Sequence, residues 1–388
     1  MAESHWLRTA IGVSAAMCLA MGFGRFSYTI MVPLLVQRGV LTEFEAGYVG
    51  ASNLFGFMIG ICITEWLRQY WKITFALKIM IFISVLALVA SSYEVGFWWL
   101  AFWRGILGIT VGVIMVLGLT IVTAVTPSAF RSLATSVIFS GVGFGIFLSG
   151  SAIPQLALYG NSIAWQGVSL FGVCAAGLAI WGLHDLEDGR LFFDTHFSNK
   201  KFSFSWTMLL LVHACFAIGL VPHTIYWADF IAREAELGVG AAGVHWVLVG
   251  VSSFLGPLVA YVLTQQMGTA WALVIVLAIL AVGISAPGLG RNTIVLFVSS
   301  VIFGAQPGAS ALIAARARDI SDLHVLPVLM RQLIFINGIA TAIAGALIPI
   351  LFDQSESYNL LFWLGGGFMG LGAILSLPWK SFFQSAQS

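Results

Sequence analysis

The sequence predicts an all-α membrane protein: twelve transmembrane helices in two pseudo-symmetric six-helix bundles. Three observations predict it. The 388-residue chain is 60% hydrophobic and only 9% charged, whereas soluble domains carry about 25% charged residues. Its apolar residues gather into twelve stretches, each close to the roughly 20 helical residues that span hydrocarbon. The longest polar stretch, His184 to Lys201, falls midway and divides six stretches from six.

In chain order the stretches are 8–37, 43–67, 72–92, 96–125, 130–156, 162–183, 205–232, 240–265, 269–288, 292–316, 325–352 and 357–379. The third, sixth, ninth and twelfth are the most uniformly apolar and suit a lipid-facing periphery. Glycine and polar residues concentrate in the others, as close helix packing and cavity lining require. The domain reading is residues 1–183 as one bundle, 184–204 as a cytoplasmic linker and 205–388 as the second bundle.

Charge sets the orientation. With the N-terminus in the cytoplasm, the inner loops collect Arg8, Arg68, Lys72, Arg131, Arg190, Lys200, Lys201, Arg316, Arg318, Arg331 and Lys380. The outer loops collect Arg38, Arg233 and Arg291. This positive-inside bias places both termini in the cytoplasm. The first stretch is too long for a signal-peptide core, contains Arg25 and lacks a small-residue cleavage pattern, so it reads as a retained helix. The absence of any N-x-S/T site and the short loops fit a bacterial inner membrane.

An internal repeat follows the same division. Residues 149–156, SGSAIPQL, and 344–351, AGALIPIL, share Gly, Ile, Pro and Leu at an offset of 195. The first and seventh stretches correspond at a similar offset, which matches Arg25, Tyr28 and Thr29 with His223, Tyr226 and Trp227. Two six-helix halves related by an axis along the membrane normal are one known transporter plan.

Arg25 is the most informative residue. It lies deep in an apolar segment, where an arginine costs at least about 2.5–3.5 kcal/mol. Cys18, Gly22, Arg25, Tyr28 and Thr29 share one helical face. The guanidinium fork suits a carboxylate or similar anion. The alternative is a structural arginine bound to helix carbonyls or to an acidic side chain. In the seventh stretch, Pro222 lacks an amide hydrogen and is expected to break or kink the helix near His223. His223, Tyr226 and Trp227 are then candidates for ligand contact, and His223 for proton exchange, since histidine titrates near neutrality. A satisfied structural histidine is the alternative. Arg104 either contacts substrate or braces the first helix through carbonyls. Gln306, beside Pro307, is an uncharged candidate contact near mid-depth. Asp229 either pairs with Arg233 four residues on or belongs to an outer gate. Glu65 is placed to meet the start of the eleventh helix near Arg331, as an inner latch or as a solvated interface residue.

Other classes lack support. There is no P-loop, HExxH, GxSxG or paired carboxylate within one helix, so no enzyme is indicated. Cys18, Cys62, Cys174 and Cys215 sit in apolar segments with no CxxC, and read as small packing residues. Neither a metal nor any other cofactor is implied. A net charge of +1, with no basic run, gives no sign of nucleic acid.

Several segments together resemble the major facilitator superfamily, most closely its YbfB/YjiJ-type branch. They are residues 22–29, GFGRFSYT, with Pro33; 43–53, EFEAGYVGASN; 140–150, SGVGFGIFLSG; 219–223, GLVPH; and 229–233, DFIAR. The superfamily's fourth-helix pattern RxxQG appears as 104–108, RGILG, with Leu107 replacing glutamine. Its second-loop pattern GxxxDRxGR is degraded, and Glu65 falls one position late. The fifth helix lacks the proline of the antiporter-type G-P pair. The resemblance implies two bundles rocking about a central site lined by the first, fourth, seventh and tenth helices. The expected function is secondary active transport of a small organic anion, a carboxylate metabolite or metal chelator, by a monomer in the lipid bilayer, with proton coupling through His223 or the substrate itself. The alternatives are an efflux carrier for amphipathic or neutral compounds and a non-transporting receptor or scaffold.

Overall fold

The computed structural model describes residues 2–93, 95–127, 130–184, 186, 204–321 and 325–378. Arg190, Lys200, Lys201 and Lys380, used above for orientation, lie outside them, as does nearly all of the 184–204 connection. The described residues are helical throughout, without strands. Among the described residues, eleven helices are long and apolar enough to cross a membrane. The longest is two spans joined at Gly268, whose φ of 79° interrupts the helix. Only a residue without a Cβ adopts that backbone freely.

The twelve spans are α1 (Trp6–Gln37), α2 (Glu43–Tyr70), α3 (Ile73–Ser91), α4 (Phe97–Val125), α5 (Leu133–Ala157), α6 (Asn161–Gly182), α7 (Phe204–Glu234), α8 (238–267), α9 (269–285), α10 (Thr293–Ile320), α11 (Val328–Ser355) and α12 (Tyr358–Leu375). Below, the near side of the membrane is the one from which α1 starts, and the far side is the one where it ends. The caps follow the sequence. Thr42 begins α2 with a capping box completed by Glu45, which satisfies two otherwise orphaned amides. The side chains of Asn292 and Ser357 cap α10 and α12. Exposed large apolar side chains are spread over the spans, such as Phe82 on α3, Phe102 on α4, Leu258 and Val262 on α8, Val282 on α9 and Leu347 on α11, so they do not single out the third, sixth, ninth and twelfth helices as the periphery.

The two halves meet along two seams. In one, α2 faces α11, where a Cβ on Gly47 would come 2.9 Å from Pro349 Cβ. In the other, α5 faces α8, where a Cβ on Gly150 would come 2.8 Å from the Gly243 carbonyl. Small residues permit this backbone approach. The halves also touch on the far side, where Thr29 Oγ1 donates to the Thr224 carbonyl at 2.5 Å.

Three of the helices depart from regular α geometry. α1 widens into a π-helix over Cys18–Phe26, which ends one residue past Arg25. Such distortions frequently mark functional positions. α7 runs as a continuous α-helix over Phe204–Asp229, through Pro222. The break expected at His223 is absent. Pro222 is instead pressed against α12, where a Cβ on Gly365 would lie 3.2 Å from its ring. Neighbouring helices can stabilise a proline in a membrane helix in this way. α7 distorts later, as a wide turn over Phe230–Glu234. α10 is interrupted between Gly304 and Pro307.

Candidate functional site

One face of α2 carries three rungs, spaced so that they stack along the helix. At the first rung, a Cβ on Gly50 would lie 3.5 Å from the Tyr28 ring. At the second, Asn53 Nδ2 donates to the Arg104 carbonyl at 3.0 Å. At the third, the Phe57 ring lies 5.4 Å from the Arg25 guanidinium carbon. α1, α2 and α4 therefore bring Tyr28, Arg104 and Arg25 together beside one helix.

The two arginines are linked. Arg104 Nη2 donates to the Arg25 carbonyl at 2.9 Å, so α4 braces α1 where α1 is π-helical. The Arg104 guanidinium lies 4.7 Å from the Tyr28 ring centroid. Arg25 sits 5.6 Å from the Phe26 ring. Such faces attract a cation by about 0.5–2 kcal/mol, but they accept no hydrogen bonds. Arg25 Nε, Arg104 Nε and Arg104 Nη1 are buried without an acceptor. Among the described residues no carboxylate pairs with either arginine. Arg104 is 1% exposed, and Arg25 is half-buried.

Tyr28 is buried, and its hydroxyl donates to the Ala46 carbonyl at 2.8 Å. Phe26 extends the aromatic wall to the second half, 6.2 Å from Trp246 of α8.

The matched residues of α7 face a different way. His223 is fully buried. Its Nε2 is 3.0 Å from Ser299 Oγ, and its ring packs on Trp227, Phe303 and Phe362 at 4.6, 5.1 and 4.7 Å. These four neighbours all belong to the second half, and the histidine packs away from Arg25. Trp227 Nε1 donates to Ser300 Oγ at 3.1 Å, and His245 Nδ1 meets the same oxygen at 2.9 Å. His223 and Trp227 thus lie in a polar and aromatic network among α7, α8, α10 and α12. Tyr226 packs on Phe352 at 4.8 Å, and its hydroxyl is buried without a partner. Gln306 is half-buried at the α10 break.

The gating candidates separate. Asp229 accepts two hydrogen bonds from Arg233, at 2.7 and 2.9 Å, and one from Tyr358 at 2.5 Å. Arg233 also meets Glu43 of α2 at 2.8 Å. Beside them, on the far side, a cavity of about 550 Å³ is lined by Glu43, Arg233, Glu234, Asp353, Glu356 and Tyr358, among others. Glu65 pairs with Arg68 on its own helix at 3.4 Å. Its end of α2 runs beside the near-side half of α11, which carries Arg331: a Cβ on Gly338 would lie 3.1 Å from Ile61 Cδ1.

Sequence reasoning gave no role to Asn53, Phe57, Glu43, Ser299, Ser300, His245 or Tyr358. Asn53 and Glu43 stood inside a family motif, and an amide deep in an apolar stretch was a usable signal. A Ser-Ser pair in a greasy helix was not, because serine bonds readily to its own helix.

Two membrane-embedded halves, seams of small residues and a central basic cluster define a transporter of the major facilitator type. Residues 17–377 match the family described as uncharacterised MFS-type transporter YbfB, and the chain belongs to that family. A stretch of 173 residues is 26% identical to a benzoate transport protein of Acinetobacter baylyi (strain ATCC 33305 / BD413 / ADP1). It covers 42% of this chain and 36% of that relative. Among solved structures, a D-xylose-proton symporter superposes with a TM-score of 0.79 at 17% identity, covering 96% of this chain and 98% of that one. The xylose transporter XylE from E. coli, in a partially occluded inward open conformation, gives 0.75 at 16% identity, covering 97% and 99%. A variant of the nucleoside transporter NupG gives 0.73 at 11% identity, covering 96% and 99%. At these identities the likeness speaks for the fold.

Proposed function

We propose that this protein is a secondary active transporter of the bacterial inner membrane. Its cargo is a small organic anion, a carboxylate metabolite or metal chelator, moved by alternating access. The pair Arg25 and Arg104 carries the reading. Three of their nitrogens are buried without an acceptor, and no carboxylate among the described residues neutralises them. Leaving such groups unmet costs about 1–3 kcal/mol each or more, and deep charges in membrane helices commonly serve a ligand. A substrate carboxylate supplies both the missing charge and the missing acceptors. The relative named for benzoate transport supports the same chemical class, since benzoate is a carboxylate.

In this reading residues 1–183 and 205–388 are the two moving bodies, joined by 184–204, with both termini cytoplasmic. Arg25 and Arg104 anchor the anion, Tyr28 walls it, and Thr29, Tyr226 and Gln306 lie on the faces that part and close around it. His223 holds Trp227 in place. Asp229 gates the far side, where its partner Arg233 and Glu43 border the cavity. Glu65 and Arg331 guard the near side.

The test is flux into proteoliposomes by the purified protein, with benzoate as the first probe beside aliphatic carboxylates, citrate and neutral amphipathic dyes. Saturable anion flux that neutral compounds do not inhibit is expected. Flux of neutral compounds alone would transfer the function to the efflux reading, and binding without flux to the receptor reading.

A further inference from the structure

Asn53 is 1% exposed and lies on α2 between the Tyr28 and Arg25 rungs. Its amide orientation is fixed by its neighbour. The Arg104 carbonyl can only accept a hydrogen bond, so Asn53 must present Nδ2 to it, at 3.0 Å. The carbonyl end is then left over, and Asn53 Oδ1 is buried without a donor. On the adjoining faces of α1 and α4 the leftovers have the opposite sense: Arg25 Nε, Arg104 Nε and Arg104 Nη1 are donors without acceptors. Buried polar groups in native structures are nearly always matched. These four do not match one another in this state. Together they describe the complement of a ligand with acceptors at one point and a donor beside them.

We infer that Asn53 is a substrate ligand, and that the preferred cargo is a carboxylate bearing a hydroxyl or amine on a neighbouring carbon. This rests on the anion-site reading above. The carboxylate takes the guanidinium donors, and the neighbouring O–H or N–H donates to Asn53 Oδ1. A site that presents an acceptor to a substrate hydroxyl discriminates against the analogue lacking it, because that acceptor is then left unmet. Asn53 therefore sets specificity, while Arg25 and Arg104 set charge selection.

The experiment measures binding by calorimetry to the purified full-length protein in nanodiscs, with matched pairs of probes: lactate against propionate, mandelate against phenylacetate, and 2-hydroxybenzoate against benzoate. The hydroxy acid is expected to bind about 5-fold tighter or more in at least one pair, the worth of roughly one net hydrogen bond. In Asn53→Leu that ratio is expected to fall to about one. The ratio separates recognition from architecture. Loss of the bond to the Arg104 carbonyl weakens both members of a pair alike, whereas loss of the substrate contact weakens only the hydroxy acid. Should Asn53→Leu fail to insert, Asn53→Ser, whose hydroxyl is too short to reach the same point, carries the test. Equal affinities within every pair for the wild-type protein overturn the inference and leave the anion site standing. A ratio that survives both substitutions also overturns it. Binding of no carboxylate at all removes the anion reading itself, and Asn53's role with it.

Discussion

Glu43 and Arg233 join the two halves across the far side, at 2.8 Å. Glu43 opens α2, and Arg233 lies in the wide turn that ends α7. The partners are unequal. Arg233 is already held by Asp229 and Tyr358 within its own half, whereas Glu43 is half exposed. The second half therefore presents a preorganised cation, and the first half docks a carboxylate on it.

That asymmetry predicts what breaking the pair does. Glu43→Gln leaves Arg233 neutralised by Asp229, so thermal stability should barely change, since an exposed ion pair contributes about 0–1 kcal/mol. The balance between open and closed far sides should shift toward open. Spin labels at Val40 and Leu237, in the two far-side loops, should report a longer-distance population in double electron–electron resonance. An unchanged distribution would deny Glu43 a latching role.

Gly47 offers an independent probe of the same closure. A Cβ there would collide with the Tyr226 hydroxyl and stand 2.9 Å from Pro349 Cβ. Both neighbours belong to the opposite half, so Gly47→Ala loads the closed far side without disturbing packing within either half. Overpacking typically costs about 1–3 kcal/mol. The same spin-label pair should move in the same direction as in Glu43→Gln, and the double variant should move further. A loss of folded protein instead would show that Gly47 supports its own bundle.

Substitution should distinguish His223 from Asp229. The His223 ring is enclosed by Trp227, Phe303 and Phe362. Asp229 is joined through Arg233 to the far-side cavity, whose other titratable neighbours are Glu43, Glu234, Asp353, Glu356 and Tyr358. Asp229 carries the charge that offsets Arg233, so Asp229→Asn should loosen the cluster and favour opening of the far side. With its ring so enclosed, His223→Gln should preserve the pH profile of transport. His223→Ala should act on stability instead, lowering it by about 2–5 kcal/mol as large-to-small core changes do. A flat profile in folded His223→Gln protein would return the coupling role to the histidine.

The fold was legible because a membrane constrains sequence so strongly. Span length, apolarity and the midway polar stretch each follow from the bilayer. Arg25 and Arg104 were legible because a deep charge is costly and therefore rare. The orientation of His223 was not. Its match to Arg25 in the repeat fixes its place along α7, but Ser299 of α10 and Phe362 of α12 decide which way the ring turns. Pro222 was half legible for a related reason: proline signals a break or a kink, and close packing against Gly365 lets α7 run through it unbroken. Ser299 and Ser300 stayed silent because serines in membrane helices often bond only to their own backbone. Whether their groups reach a partner is settled by tertiary contact.

Arg25 and Arg104 should separate in substitution, although both are guanidinium groups in one cluster. Arg104 is sealed and braces α1 through the Arg25 carbonyl. Arg25 is half-buried, and within the cluster only its own carbonyl takes part in the brace. Lysine keeps the charge but cannot reproduce the planar fork. Arg104→Lys should therefore lower both thermal stability and anion affinity, because the donor to the α1 carbonyl is displaced along with the anchor. Arg25→Lys should leave the melting temperature near that of the wild type and weaken binding severely, and Arg25→Ala should abolish it. Losing a charged hydrogen-bonded contact at a desolvated site costs about 2–5 kcal/mol, or on the order of 30-fold to several thousand-fold in affinity. Calorimetry with the tightest carboxylate, run beside thermal unfolding in the same detergent, decides between the two roles. Wild-type affinity in folded Arg25→Ala protein would place the anion elsewhere and leave Arg25 as a structural cation resting on Phe26 and Phe57.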